Sequence, residues 1–223
     1  MSFLHKMLTI VRKDIAVELR TKEMLSSMFV FALLVIVIFN FAFELRVENV
    51  REVAPGVLWV TFTFAGMLGL NRSFVLEKDK GCLEGLLLCP VDRSAIYLGK
   101  MLGNFVFMTV VEAIILPISS VLFNLSLFQP LLLLIVVLGT LGFAGVGTLF
   151  SAMAVHTRAR EVMLPVLLFP VVVPAMIAAV KATGGILDGQ PFSEIAHWFR
   201  LLVAFDVIFL AISFMTFDYV VEE

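Results

Sequence analysis

Long apolar runs separated by short polar intervals dominate this chain. Each run has about twenty residues or more, the length that a helix needs to cross the hydrocarbon core of a bilayer. The predicted spans cover residues 24–43, 57–76, 96–122, 131–155, 162–180 and 199–217. We therefore predict an all-α polytopic membrane protein with six transmembrane helices, in which residues 1–223 form a single transmembrane domain.

The stretch before the first span, residues 2–22, is amphipathic at helical spacing. Its charged side chains lie off the apolar stripe, as is typical of a helix that lies in the membrane interface instead of crossing it. The stripe consists of Leu4, Met7, Leu8, Val11, Ile15 and Leu19. We predict an N-terminal interfacial helix here.

A polar interval follows the second span and contains an amphipathic segment of its own. Leu83, Leu86 and Leu87 recur at helical spacing after a charge cluster, and Pro90 ends the pattern. We predict a short helix over residues 79–90, outside the bilayer and with one apolar face. Such a face needs either the membrane surface or another protein to cover it.

Composition and charge placement agree with this topology. The chain is 61% hydrophobic and only 15% charged, and its mean hydropathy is +1.07, well outside the range of soluble domains. Twelve of the sixteen Lys and Arg residues fall on one side of the predicted membrane, and the positive-inside rule makes that side cytoplasmic. We expect both termini and the central interval to be cytoplasmic, and residues 182–197 to lie outside.

Among the candidate chemical groups, we single out Glu112 as an acid deep inside a predicted span. A charge there costs at least about 2.5 to 3.5 kcal/mol on insertion scales. Glu112 could form a polar contact in a translocation path or subunit interface. Alternatively, its carboxyl is protonated or paired with a neighbouring helix and has no functional role. His5, His156 and His197 all fall at predicted membrane edges, so we expect no metal site from this chain, because ligands must converge.

Two predicted spans contain residues that alter helix geometry or helix packing. The fifth contains Pro165, Pro170 and Pro174, which delete backbone hydrogen bonds and predict a kinked or locally unwound helix, either a hinge for gating or a static bend. The fourth carries a stripe of small residues that permits close helix approach. This stripe contains Gly139, Gly142 and Gly145 and continues through Thr148 and Ala152. We interpret it as a packing feature.

Several enzyme signatures do not occur in the sequence. It has no G-x-x-x-x-G-K-[ST] phosphate loop, so we do not expect this chain to hold ATP itself. It also has no H-E-x-x-H and no G-x-S-x-G motif, which would point to a protease or hydrolase. We expect a non-catalytic membrane subunit that binds no cofactor, and nothing suggests a nucleic-acid partner.

Three segments together resemble one family. The order of an interfacial helix, six spans and a short helix after the second span is similar to the ABC-2 type exporter permease fold. More narrowly, residues 54–60, 79–100 and 164–175 resemble the haem exporter protein B family, CcmB, of cytochrome c maturation. Their sequences are APGVLWV, DKGCLEGLLLCPVDRSAIYLGK and LPVLLFPVVVPA.

The resemblance implies a transmembrane permease subunit in the bacterial inner membrane that works with a separate CcmA-like ATPase. It also implies CcmC-like and CcmD-like membrane subunits, a CcmE-like haem chaperone, membrane lipid and a second permease copy as partners. Haem would be a transported or partner-bound ligand. The family's ATPase-docking segment, or coupling helix, maps onto residues 79–90. Its expected contact residues here are Asp79, Gly81, Leu83, Glu84, Leu86, Leu87 and Pro90.

The resemblance leaves two other functions open. A generic ABC-2 type exporter permease for a drug, lipid or glycan would have the same fold. A non-transporting scaffold, whose conformational change is sensed by neighbouring membrane proteins, would also fit. The order of neighbouring genes would distinguish these pathways.

The charge asymmetry generates a topology prediction. A reporter that is active only in the cytoplasm should be active when fused after Glu223 or inserted near Asp92, because both sites lie on the side of the predicted membrane that holds twelve of the sixteen basic residues. Reporter activity from an insertion near Gly189 would reverse the orientation.

Overall fold

The protein is all-helical in the computed structural model, which describes residues 3–44, 50–75, 92–155 and 159–220 together with Lys78 and Thr157. Six of the helices in these ranges are long and apolar enough to cross a membrane, and the first is not. The helices are α1 (Phe3–Thr21), α2 (Glu23–Glu44), α3 (Val50–Ser73), α4 (Arg93–Leu122), α5 (Pro130–Ala154), α6 (Arg160–Leu187) and α7 (Phe192–Val220). The predicted all-α polytopic membrane fold is confirmed.

Some helices extend beyond the predicted spans. Helix α3 begins at Val50, before the predicted start of the second span at residue 57, and Pro55 lies inside it. Pro55 is tolerated because so close to the N-terminus it removes a single intrahelical hydrogen bond. At the same end of the bundle, α6 continues to Leu187 and α7 begins at Phe192, so most of the predicted outer segment 182–197 is helical.

Helices α3 and α5 form the centre of the bundle. Of their most apolar stretches, 72% and 67% of the residues are buried, compared with 22% for α2 and 28% for α7. Helix α5 contacts α3, α4, α6 and α7, and α1 packs mainly against α4. The central helices are therefore shielded by protein, whereas the outer helices expose apolar faces.

Small residues let α5 approach its neighbours closely. A Cβ atom on Gly139 would overlap the Trp59 indole of α3, and one on Gly142 would overlap Asp206 of α7. At Gly145 the obstructing side chain is Leu210, also of α7. The interpretation of the glycine stripe as a packing feature is confirmed.

Buried polar side chains connect α5 to α3 and α4. Asn104 Nδ2 donates to Thr148 Oγ1 at 2.9 Å, and Tyr97 Oη donates to the Gly145 carbonyl at 3.1 Å. Ser151 Oγ donates to the Leu70 carbonyl at 2.6 Å. Interhelical bonds of this kind contribute on average about 0.6 kcal/mol in membranes, and they also fix helix register.

The bundle has a second, smaller apolar core at the end where α1 lies. Here α3 ends, α4 and α6 begin, and α5 and α7 end; we refer to it as the α1 end. This core comprises Ile10, Phe74, Ile96, Tyr97, Met101, Leu149, Ala152, Val155 and Phe217. Residues 76–91, which include the predicted docking segment, connect α3 to α4 at the α1 end.

The contact between α3 and α5 generates a stability prediction. We expect Gly139→Ala to lower the thermal stability of the purified protein in detergent, because overpacking a tight site typically costs about 1 to 3 kcal/mol. Gly56→Ala is the matched control: among the described residues, no side chain or neighbouring element lies within 4 Å of a Cβ built there, so better helix propensity should raise stability by up to about 1 kcal/mol. Equal melting temperatures for the two variants would contradict the close approach.

Candidate functional site

A carboxyl group lies in the middle of the bundle between α4 and α5. Glu112 is only 5% exposed, and its Oε1 accepts a 2.6 Å hydrogen bond from Thr140 Oγ1. Within the described ranges, its second oxygen, Oε2, has no hydrogen-bond partner. One half of this carboxyl is therefore satisfied and the other half is not.

A small cavity of about 10 Å³ adjoins Glu112. Trp59, Thr63 and Met176 also line it, so it lies where α3, α4, α5 and α6 meet. Trp59 Nε1 donates to Thr183 Oγ1 at 3.0 Å, and Thr63 Oγ1 lies 3.1 Å from Met176 Sδ. The cavity has room for about one water molecule.

A second buried carboxyl, Asp206 of α7, was overlooked by the sequence analysis. It is 4% exposed, and neither of its oxygens has a hydrogen-bond partner among the described residues. It presses against Gly142 of α5, two residues along from Thr140. The signal was available, because Asp206 interrupts the apolar run of the predicted sixth span. Two buried carboxyls thus contact the same stretch of α5.

A buried ion pair lies at the α1 end. Lys100 of α4 has a side chain only 2% exposed, and its Nζ lies 3.1 Å from Asp14 Oδ2 and 3.3 Å from Asp14 Oδ1 on α1. The same Nζ donates to the carbonyl of Ser73, the last residue of α3, at 3.3 Å. It also lies 5.3 Å from the centroid of the Phe74 ring. The sequence analysis counted Lys100 only as a cytoplasmic charge and missed this contact.

Comparison with known proteins identifies the family. The sequence profile described as "CcmB protein" matches residues 5–222. The chain belongs to the CcmB family. It is similar to "Heme exporter protein B" of Pseudomonas aeruginosa, with 26% identity over 81% of each chain. The protein of the same name from Rhodobacter capsulatus is 26% identical over 77% of this chain and 79% of the relative, and that from Bradyrhizobium diazoefficiens is 24% identical over 92% and 91%.

The resemblance stated from sequence is therefore confirmed for nearly the whole chain. Together with the six candidate spans, it makes this CcmB-family chain a multi-pass membrane protein. The finer predictions, namely the inner membrane and cytoplasmic termini, stay predictions.

The predicted ATPase-docking residues of this CcmB-family chain lie outside the described residues. These are Asp79, Gly81, Leu83, Glu84, Leu86, Leu87 and Pro90. The chain on either side of them is held in place. Lys78 Nζ donates to the Val155 carbonyl at 2.6 Å, and Arg93 Nη1 donates to the Asp218 carbonyl at 3.1 Å. The residues that flank the segment are thus attached to the ends of α5 and α7.

The three prolines of the fifth span lie in one continuous helix, α6. The structure does not show the local unwinding that the sequence analysis considered. Pro170 and Pro174 are exposed, and Pro165 is half-buried, so the prolines lie away from the most tightly packed face. A hinge at Pro165, Pro170 and Pro174 stays a prediction.

The histidines of this CcmB-family chain that the structure describes do not converge. His5 is exposed on α1, whereas His197 is exposed on α7, toward the opposite end of the bundle, with Nδ1 at 3.0 Å from the Glu194 carbonyl oxygen. His156 lies outside the described residues. In the described ranges, no cluster of three or more His, Cys, Asp or Glu side chains could hold a metal ion.

A larger open cavity of about 340 Å³ lies at the end opposite α1. Basic and acidic side chains both line it, including Arg51, Lys181, Glu52 and Asp188, and Trp198 forms part of one wall. The mixed charge selects neither anions nor cations.

Proposed function

We propose that this protein is the membrane permease subunit of an ABC transporter complex for cytochrome c biogenesis. In this role it couples ATP hydrolysis by a separate ATPase subunit to haem export or to release of a haem-loaded chaperone. The family match over residues 5–222 carries the proposal, and the relatives named heme exporter protein B support it. The chain would be a transport subunit and not a catalyst.

The sequence supports a division of labour. A chain without a phosphate loop has no usual means of binding ATP, so the energy would come from a partner. CcmA-like, CcmC-like, CcmD-like and CcmE-like proteins are the partners that family membership suggests. Haem would be the cargo or a partner's ligand, and not a resident cofactor of this chain.

The position of residues 79–90 fits ATPase docking. This segment connects α3 to α4 at the α1 end, and Lys78 and Arg93 attach its flanks to helix ends. A force applied to the segment would therefore act on α3, α4, α5 and α7 together.

The pocket beside Glu112 is too small to hold cargo. At about 10 Å³, it is far smaller than any haem, drug or glycan.

Glu112 allows a direct test of the buried carboxyl. We expect Glu112→Gln to insert and accumulate normally but to impair cytochrome c assembly in a strain lacking the native gene. The exchange keeps the shape of the side chain but changes its charge and one acceptor. The measurement is the yield of covalently attached haem in c-type cytochromes.

Thr109→Val is the matched control for this experiment. Thr109 lies one turn earlier on α4, and its hydroxyl bonds to the Phe105 carbonyl of its own helix. We expect normal cytochrome yield. Normal yield from Glu112→Gln as well would make that carboxyl a purely structural group.

The docking segment allows a second test. If Leu86 is buried against the ATPase, it contributes about 1.5 to 3 kcal/mol of apolar transfer, and an aspartate would add a desolvation cost. Such a loss corresponds to at least about tenfold in affinity. We expect Leu86→Asp to insert normally but to lose the ATPase during detergent purification and to abolish cytochrome c maturation.

Leu86→Met serves as its control, because it keeps an apolar side chain of similar volume and should retain the ATPase. If the ATPase co-purified with Leu86→Asp at the unmodified ratio, the docking assignment would be wrong.

A further inference from the structure

The ion pair between Lys100 and Asp14 connects the root of the docking segment to α1. Ser73 ends α3, just before the segment, and Lys100 lies in the second turn of α4, just after it. The Lys100 ammonium contacts the Ser73 carbonyl and the Asp14 carboxylate together. The Lys100 ammonium group therefore connects the end of α3 and the start of α4, which flank the segment, to Asp14 of α1.

We propose that Lys100 and Asp14 are positioning residues that transmit movement of residues 79–90 to α1. This inference rests on the proposed function, since it is the ATPase that would move the segment. In this inference α1 does more than lie at the membrane. It changes position when the docking segment moves.

The burial of Lys100 supports a positioning role. A lysine side chain with 2% exposure has lost almost all of its hydration, so its ammonium group depends on the partners around it. Gly103, one turn further on, faces Asp14: a Cβ there would lie 3.6 Å from Asp14 Oδ2, at ordinary contact distance. The backbones of α1 and α4 also meet closely at Gly99, where a Cβ would come within 3.2 Å of the Met7 carbonyl oxygen.

Asp14 has an alternative cationic partner. Lys13 Nζ lies 3.3 Å from Asp14 Oδ1, and the Lys13 side chain is 43% exposed. If Lys100 moved away with the segment, Asp14 would keep a counter-charge in contact with water. Because Asp14 contacts two lysines, it can exchange between an arrangement paired with Lys100 and one paired with Lys13. An apolar contact in the same place would only oppose the separation of α1 and α4.

The next acidic residue on the same face of α1 continues the connection. Glu18 lies one turn after Asp14, is only 4% exposed, and its Oε1 accepts a 2.8 Å hydrogen bond from the Leu25 backbone amide. Leu25 lies in the first turn of α2, where amides lack intrahelical acceptors. A shift or rotation of α1 would therefore act on the start of α2, the first membrane-crossing helix.

The test compares a static brace with a transmitting pair. In the double variant Asp14→Asn with Lys100→Met, both charges are removed together, which avoids leaving one buried charge uncompensated. The variant is expressed with the complete complex. Melting temperature, retained ATPase, ATP hydrolysis rate and cytochrome c maturation are then measured on the same preparations and strains.

We expect the double variant to fold, retain the ATPase and hydrolyse ATP, while maturation per ATP hydrolysed falls by about tenfold, within the usual range of coupling between sites. Lys100→Arg alone keeps the charge and should retain most of the coupling. The control pair is Glu23→Gln with Arg72→Gln, which removes an exposed ion pair of 3.0 Å between α2 and α3 and should leave maturation unchanged.

Two results would overturn the inference. One is maturation per ATP at the unmodified level in the double variant. The other is a loss of maturation that is fully matched by loss of folded protein or of bound ATPase, since a static brace would behave in that way. Failure of the proposed function itself would be recognisable separately, because the unmodified complex would then bind no ATPase or mature no cytochrome, and this inference would fall with it.

Discussion

The bundle depends on how closely α5 can approach the helices around it. Inside a bilayer no hydrophobic force drives helices together, because lipid tails are as apolar as leucine, so association relies on van der Waals contact and interhelical hydrogen bonds. Three-residue steps along a helix turn the facing direction by about 60°. The glycines of α5 therefore open onto more than one neighbour: Gly139 meets Trp59 of α3, while Gly142 and Gly145 meet α7. On its side facing α4, the same helix places the hydroxyls of Thr140 and Thr148 within hydrogen-bond distance of Glu112 and Asn104.

Much of the architecture could be predicted because it follows from length and polarity. A run of about twenty apolar residues must form a helix in lipid, since every backbone group needs an internal partner. Helix α3 begins at Val50, before the predicted span starts at residue 57, because a helix can continue beyond the apolar run that crosses the membrane. The predicted outer segment 182–197 includes Gly185, where a Cβ would crowd Ile195, so this glycine serves close packing.

The candidate site was predicted only in part, because the sequence pattern of one helix does not show which side chains it contacts on another helix. Glu112 could be identified from its position in an apolar run, but its partner Thr140 could not, since one of many hydroxyls in the spans had to be chosen. Lys100 was counted only as a cytoplasmic charge because it lies near the start of the predicted third span. Only the packing of α1 against α4 shows that its partner is Asp14, 86 residues earlier in the chain.

The two buried carboxyls are incompletely hydrogen-bonded by the described residues in this arrangement of the bundle. Among the described residues, one oxygen of Glu112 and both oxygens of Asp206 lack hydrogen-bond partners, and a buried polar group that neither protein nor water satisfies costs about 1 to 3 kcal/mol. An arrangement in which these oxygens found partners would be stabilised by a similar amount relative to the present one. Both carboxyls lie against the same turn of α5, at Thr140 and Gly142, so a small shift of that helix changes the surroundings of both together. A transport subunit needs at least two arrangements of similar free energy. If buried polar groups lack hydrogen bonds in one arrangement, the free-energy difference between the two arrangements becomes smaller.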